Sequence, residues 1–325
     1  LIDLHAENIP DNKYVVYPET GSSYTWKEFH QRVKSVACYL SGKELSREFP
    51  VAGLLGNGQT ALELFLGGMY GGFQVLLANP LSGRDILAYV IEHSETKILF
   101  VSPQYQELAE QALSQISNKP EIIFNHKDHQ PIWNDTFPDH KIFNNLTNPK
   151  EKALLIYTSG TTGRPKGVIH THESLLYGGW NTEVAHELKP DDNSLCVLPL
   201  CHINAQVVSV MGTLVTGSGL VMPQRFQASK FWSLVVENKC TWFSAVPTIL
   251  SYLMNIEEEE EQKIKSKLGR VRFGRSASSA LPPALHKAFE EHFGIKIVET
   301  MGITETASPL LSNPIDPELH KLGSP

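Results

Sequence analysis

The feature that most constrains this chain is the alternation of short apolar runs with longer segments of helical period. Val51–Leu55, Gln74–Ala78, Lys97–Ser102 and Glu121–Asn125 read as buried strands. Between them, Ala61–Tyr70, Asp85–Ser94 and a segment near Tyr105–Ile116 carry apolar residues at helical spacing. An earlier helix is expected over Tyr24–Leu40, with Thr25 as N-cap and Glu28 completing a capping box. The rhythm resumes with strands at Ala153–Ile156, Leu195–Leu200, Gly219–Pro223, Cys240–Val246, Arg270–Ser276 and Lys296–Thr300. Helices are expected over His170–Leu188, Ala205–Val215, Ala228–Asn238 and Pro282–Phe293. Such alternation implies an α/β fold of mostly parallel sheets flanked by helices. The polar stretch Ile132–Lys152 reads as a connection, so two similar layered βα subdomains are expected, over 1–150 and 151–325.

The densest chemistry follows the strand Ala153–Ile156. Tyr157–Gly167, YTSGTTGRPKG, packs hydroxyls, glycines and cations into one loop. Glycine lets backbone approach a ligand closely, and successive N–H groups make an anion-binding concavity. Lys166 adds a positive charge, so the stretch reads as a phosphate-gripping loop; an ordinary polar hairpin turn is the plainer alternative. It is not a Walker loop, because Lys166 follows Pro165 and precedes Gly167. A second dense stretch, Met301–Thr306 (MGITET), follows the strand Lys296–Thr300. In parallel sheets, loops at the carboxyl ends of strands form the ligand crevice. A phosphate loop beside the isolated carboxylate of Glu305 suggests nucleotide with Mg²⁺, which takes oxygen ligands. On its own, this stretch also fits a helix cap.

These residues resemble the signature motifs of the acyl-adenylate-forming superfamily: AMP-forming acyl-CoA synthetases, adenylation domains of peptide synthetases, and luciferase. Thr158–Gly167 matches its phosphate loop, and GITE of Met301–Thr306 matches its Tyr-Gly-x-Thr-Glu motif. Ser276–Pro282 (SASSALP) is similar to its small-residue adenine loop, with Ala277 and Ser278 in place of glycines. Pro199–Ala205 (PLCHINA) is similar to its Pro-Leu-Phe-His segment. The resemblance implies that Thr158, Ser159, Gly160, Thr161, Thr162, Gly163 and Lys166 hold the phosphates. Ser278, Ser279, Ala280, Met301 and Gly302 would line the base, with Met301 standing where the family has an aromatic. Thr304 would contact phosphate, Glu305 would hold Mg²⁺, and His202 would lie near the reacting carboxylate. The remaining histidines, His170 and His172 included, are expected to be structural.

The implied reaction is ATP-dependent activation of a carboxylic acid to acyl-AMP, then transfer to CoA. It needs no general base, because the acid is already ionised at neutral pH. The segment around His202–Asn204 offers no acidic residue to hold an amino group, which favours the acyl-CoA ligase branch. A ligase that loads a carrier protein, or a non-catalytic nucleotide-binding module, would share these motifs. The chain ends before the family's downstream Thr-Gly-Asp motif and its C-terminal lysine. The resemblance therefore covers an N-terminal core only, expected to be poorly active alone.

Composition narrows the partners. A net charge of −7, with no Lys/Arg cluster, argues against nucleic acid. The four scattered cysteines fit reduced thiols of a cytoplasmic protein better than a disulfide scaffold. The apolar stretch Val207–Met222 is too short and too interrupted for a transmembrane helix. A homodimer is compatible with the chain. The five glutamates Glu257–Glu261 read as a solvated helix end or loop.

Overall fold

A computed structural model describes residues 1–125, 131–135, 148–158, 163–255, 264–307, 309–316 and 318–324. Ser159–Thr162 and the glutamate run Glu257–Glu261 lie outside the described residues. The strands form two sheets. The six-stranded sheet runs β6 (Glu121–Phe124), β5 (Ile98–Val101), β3 (Val51–Leu54), β4 (Val75–Leu77), β7 (Lys152–Thr158), β8 (Lys166–Thr171). The eight-stranded sheet runs β14 (Leu311–Ser312), β13 (Ile297–Met301), β12 (Phe273–Ser276), β11 (Trp242–Ala245), β9 (Asn193–Cys196), β10 (Gly219–Val221), β1 (Lys13–Tyr17), β2 (Ser22–Thr25). Pairing is parallel except where β2, β8 and β14 turn back on β1, β7 and β13. The carboxyl ends of β9, β11, β12 and β13 therefore share one edge of their sheet.

The described helices are α1 (Ile2–Asn8), α2 (Trp26–Gly42), α3 (Gln59–Tyr70), α4 (Arg84–His93), α5 (Gln106–Leu113), α6 (His172–His186), α7 (Gly212–Thr216), α8 (Ala228–Glu237), α9 (Pro247–Leu253) and α10 (Pro283–Phe293). None is long and apolar enough to cross a membrane. The capping box of α2 forms as expected: Glu28 N donates to Thr25 Oγ1 at 3.3 Å, and Thr25 N donates to Glu28 Oε2 at 2.8 Å. Val33, Val36 and Leu40 of α2 are fully buried. Each such aliphatic side chain contributes about 1.5–3 kcal/mol relative to an exposed one. All four cysteines are buried, and none is in a disulfide.

Four expectations need correction. The sheets do not divide at residue 150: β1 and β2 join the sheet built from β9–β14, while β7 and β8 join the sheet built from β3–β6. Helix α6 starts at His172 rather than His170. The preceding Lys166–Thr171 is a strand antiparallel to β7, so the signature stretch is flanked by the two strands of a β-hairpin. Val168 and His170 face inward at strand period while Ile169 is exposed. Third, the expected helix at Ala205 begins one residue earlier and its first turns are a π-helix, Asn204–Met211, continued by α7. Finally, α1, β1, α9 and β14 form where no element was expected, and β2 takes Tyr24 and Thr25 from the start of the helix expected over Tyr24–Leu40.

Helix α6 carries the hairpin into the core. A Cβ on Gly178 would stand 2.4 Å from the Ala307 carbonyl oxygen and 2.7 Å from Val207 Cγ1. A Cβ on Gly179 would stand 2.8 Å from the Met211 carbonyl oxygen. The two glycines thus let α6 close on the π-helix and on the segment after Glu305. Gly178→Ala should cost about 1–3 kcal/mol in urea unfolding through overpacking. Gly42→Ala, whose added Cβ meets nothing within 4 Å, should cost nothing. Equal stability of the two variants would show that α6 is not wedged there.

Candidate active site

Strand β7 delivers Tyr157 and Thr158 to the hairpin, and the pairing of Thr158 with Lys166 closes its base. Gly163 has φ +87°, a backbone conformation that favours glycine. Lys166 is exposed at the first position of β8. Arg164 turns away from such a role: its guanidinium lies 5.9 Å from the Tyr89 ring centroid on α4. The Tyr157 hydroxyl lies 2.8 Å from His93 Nδ1 on the same helix. Burial pushes the Tyr157 pKa up to about 12, so this hydroxyl keeps its proton at neutral pH. A cavity of about 400 Å³ between α4, Gln115–Ile116 and Gly163–Pro165 is lined by the charged residues Asp85, Glu92 and Arg164.

The second motif is a single 3-10 turn, Thr304–Thr306, at the carboxyl end of β13. It is joined to the hairpin by a residue that was expected to be structural only. His170, the fifth residue of β8, donates its Nε2–H to the Thr304 carbonyl at 2.7 Å. The carbonyl can only accept, so Nε2 carries the proton and Nδ1 faces Ser174 Oγ at 3.3 Å. Burial holds the His170 pKa below its ordinary value, opposed by the Thr304 bond and the nearby Glu305 charge. His170 is therefore neutral at pH 7. Glu305 and Met301 are exposed and Gly302 is half-buried, so this turn opens on the strand-end edge. The Glu305 carboxylate is an oxygen donor that suits Mg²⁺.

The adenine-type loop leaves β12. Ser278, Ser279 and Ala280 are exposed, and Ser278 takes φ +72°. That value explains why a glycine suits the position, and holding serine there costs on the order of 1 kcal/mol. His202 is exposed beyond β9, and desolvation by its surroundings lowers its pKa. Its loop is fixed by Asn57, which had drawn no notice in the sequence. Asn57 Nδ2 donates to the Leu198 carbonyl at 2.8 Å, and Leu200 N donates to Asn57 Oδ1 at 2.7 Å. Asn57 follows β3, so this pair of bonds ties the two sheets together beside His202. The segment Gly56–Gly58 around it was the available signal.

Below the strand ends lies a buried polar cluster. Arg275 on β12 is fully buried and donates Nη1 to Asn204 Oδ1 at 2.8 Å and to Ser244 Oγ at 3.0 Å. Asn204 Nδ2 donates to Ser278 Oγ at 3.2 Å, which links the cluster to the exposed loop. His186 stacks on Phe273 at 5.5 Å and donates Nδ1–H to the Thr182 carbonyl at 2.8 Å.

An AMP-binding enzyme family model matches residues 2–325. Sulfoacetate–CoA ligase of Cupriavidus necator is 38% identical over 100% of the chain and 63% of its own length. Oxalate–CoA ligase of Arabidopsis thaliana is 34% identical over 55% of the chain and 35% of its own length. Among solved structures, fatty acyl CoA synthetase of Mycobacterium tuberculosis superimposes with TM-score 0.88 at 22% identity, over 99% of this chain and 62% of that one. A benzoate CoA ligase from Burkholderia xenovorans gives 0.86 at 22%, over 100% and 64%. At these identities the structural likeness shows the fold. The chain spans less than two thirds of each of these relatives.

Burial, reinforced by the Arg275 charge, lowers the His186 pKa from 6.5 to about 3. A folded-state pKa below the unfolded one gives stability that is present above 6.5 and lost as pH falls toward the folded value. Between about pH 7.5 and about pH 5.5, His186 should account for a loss of about 1.4 kcal/mol in unfolding free energy. His186→Gln should remove that part of the slope in urea titrations. An unchanged slope would show that His186 does not titrate between the folded and unfolded states.

Proposed function

The chain belongs to the AMP-binding enzyme family, and on that premise we propose that it forms the nucleotide- and acid-binding part of an AMP-forming acyl-CoA ligase. The observation that carries this reading is the His170–Thr304 hydrogen bond. It holds a hairpin suited to phosphate against a turn that presents a carboxylate suited to Mg²⁺. The acid's carboxylate oxygen attacks the α-phosphorus of ATP. The bond to the bridging oxygen breaks, and pyrophosphate leaves with the electron pair. The CoA thiol then attacks the acyl carbon, its proton passes to solvent, and AMP leaves.

The protein's part is positioning and charge compensation. Hairpin hydroxyls and N–H groups, Thr158 and Ser159–Gly163 among them, and the Lys166 ammonium would grip the departing phosphates. Glu305 would hold Mg²⁺, which offsets phosphate charge when bound. The Ser278–Ala280 loop, Met301 and Gly302 would flank the base, and His202 would stand by the acid. Sulfoacetate and oxalate, the acids in the names of two relatives, are small and each carries a second acidic group. A small acid of that kind is the substrate we favour.

The test is acid-dependent exchange of labelled pyrophosphate into ATP by the protein that carries this chain. Exchange should require both acid and Mg²⁺, and Glu305→Gln or Lys166→Ala should lower it by about 10²-fold. Exchange that ignores the acid, or its absence with every carboxylic acid tried, would overturn the reading.

A further inference from the structure

Arg275 is the anomaly of the site. It is fully buried on the central strand β12, yet its two described hydrogen bonds go to neutral oxygens, of Asn204 and Ser244. Its Nε is buried without a partner. No carboxylate offsets it among the described residues: burial alone pulls its pKa down to about 9, which still leaves it cationic at neutral pH. A buried charge without a counter-ion is costly, and such groups are normally paired. Its surroundings are short of partners as well. The Nε2 of His186, which feels the Arg275 charge, is buried with no partner among the described residues.

The position of Arg275 shows what could supply the missing charge. Its strand partner in β11 is Ser244, one residue short of the end of that strand. Asn204, the first residue of the π-helix, bonds Arg275 on one side and Ser278 of the exposed crevice loop on the other. One side chain therefore separates the buried guanidinium from the crevice. Asn204 follows His202 by two residues, so the cluster lies next to the place proposed for the reacting carboxylate.

We propose that Arg275, with Asn204 and Ser244, recognises a second anionic group on the acid substrate. The group is a carboxylate or a sulfonate at the end remote from the carboxylate being activated. This inference rests on the ligase reading and deepens it. A guanidinium offers a planar fork of donors to such an oxyanion, and only the dianionic acid relieves its buried charge. Acids with an apolar tail would leave that charge unpaired, and the site would reject them.

The test compares malonate and sulfopropionate with propionate and butyrate. With ATP and Mg²⁺ present, calorimetric titration of the unmodified protein should give at least about tenfold tighter binding of a dianionic acid. Pyrophosphate exchange should show the same preference in KM. Arg275→Met should collapse the ratio of kcat/KM for dianion over monoanion by about 10²-fold, and Arg275→Lys should restore part of it. The unmodified protein's own preference needs no variant, so a poorly folding Arg275→Met leaves the inference open to refutation. Equal or tighter binding of propionate, or a ratio unmoved in a folded Arg275→Met, overturns it while leaving the ligase reading intact. If no acid of either kind supports exchange, both readings fall.

Discussion

One hydrogen bond organises the candidate site: the donation from His170 Nε2 to the Thr304 carbonyl at 2.7 Å. The hairpin β7–β8 belongs to the six-stranded sheet and the Thr304 turn to the eight-stranded one. Nothing in the local pairing of either sheet would place them together. The bond does so because the buried His170 imidazole needs a partner for its N–H, and leaving that donor unpaired would cost about 1–3 kcal/mol. Helix α6 reinforces the arrangement, since Gly178 allows it to close on Ala307 directly after the turn. Asn57 does the same on the other flank, tying the loop before His202 to the end of β3.

Around this frame the strand ends hold several energetically unfavourable features. Ser278 sits at positive φ, the Asn204–Met211 segment is π-helical, and Arg275 is buried as a cation without a counter-ion among the described residues. Each is disfavoured in isolation, and all three meet at Asn204 through its bonds to Ser278 and Arg275. Strain and unpaired charge concentrated at one edge of a sheet are tolerated where a ligand completes the site. The apolar layers beneath include Trp242 stacked on Phe273 at 5.7 Å.

Much of the fold could be read from the chain. Strands of parallel sheets are buried on both faces, so Val51–Leu54 and Ile98–Val101 stand out as short apolar runs. The Thr25–Glu28 capping box is a local interaction and was legible for that reason. Partnerships distant in sequence were not. Val15 of β1 pairs with Leu220 of β10, and no local pattern announces such a partner. The β8 strand was hidden because its alternation of Val168 and His170 runs straight into a helical period. The π-helix was hidden because its apolar pattern differs little from that of an α-helix. At the site, the motifs marked Lys166, Thr304 and Glu305 as candidates, whereas Arg275 looked like an ordinary strand residue. Burial of its charge is a property of the packed sheet, and only the fold reveals it. His170 escaped for the same reason: its partner lies 134 residues away.

The central claim is that hairpin and turn act as one unit on the nucleotide. A double-mutant cycle on ATP–Mg²⁺ affinity, using His170→Leu, Glu305→Gln and the pair together, tests it most directly by isothermal titration. If His170 positions the turn that carries Glu305, the two losses are coupled and their sum differs from the double variant's loss by at least about 0.5 kcal/mol. Strict additivity, or a His170→Leu protein that binds ATP–Mg²⁺ like the unmodified one, would contradict the account.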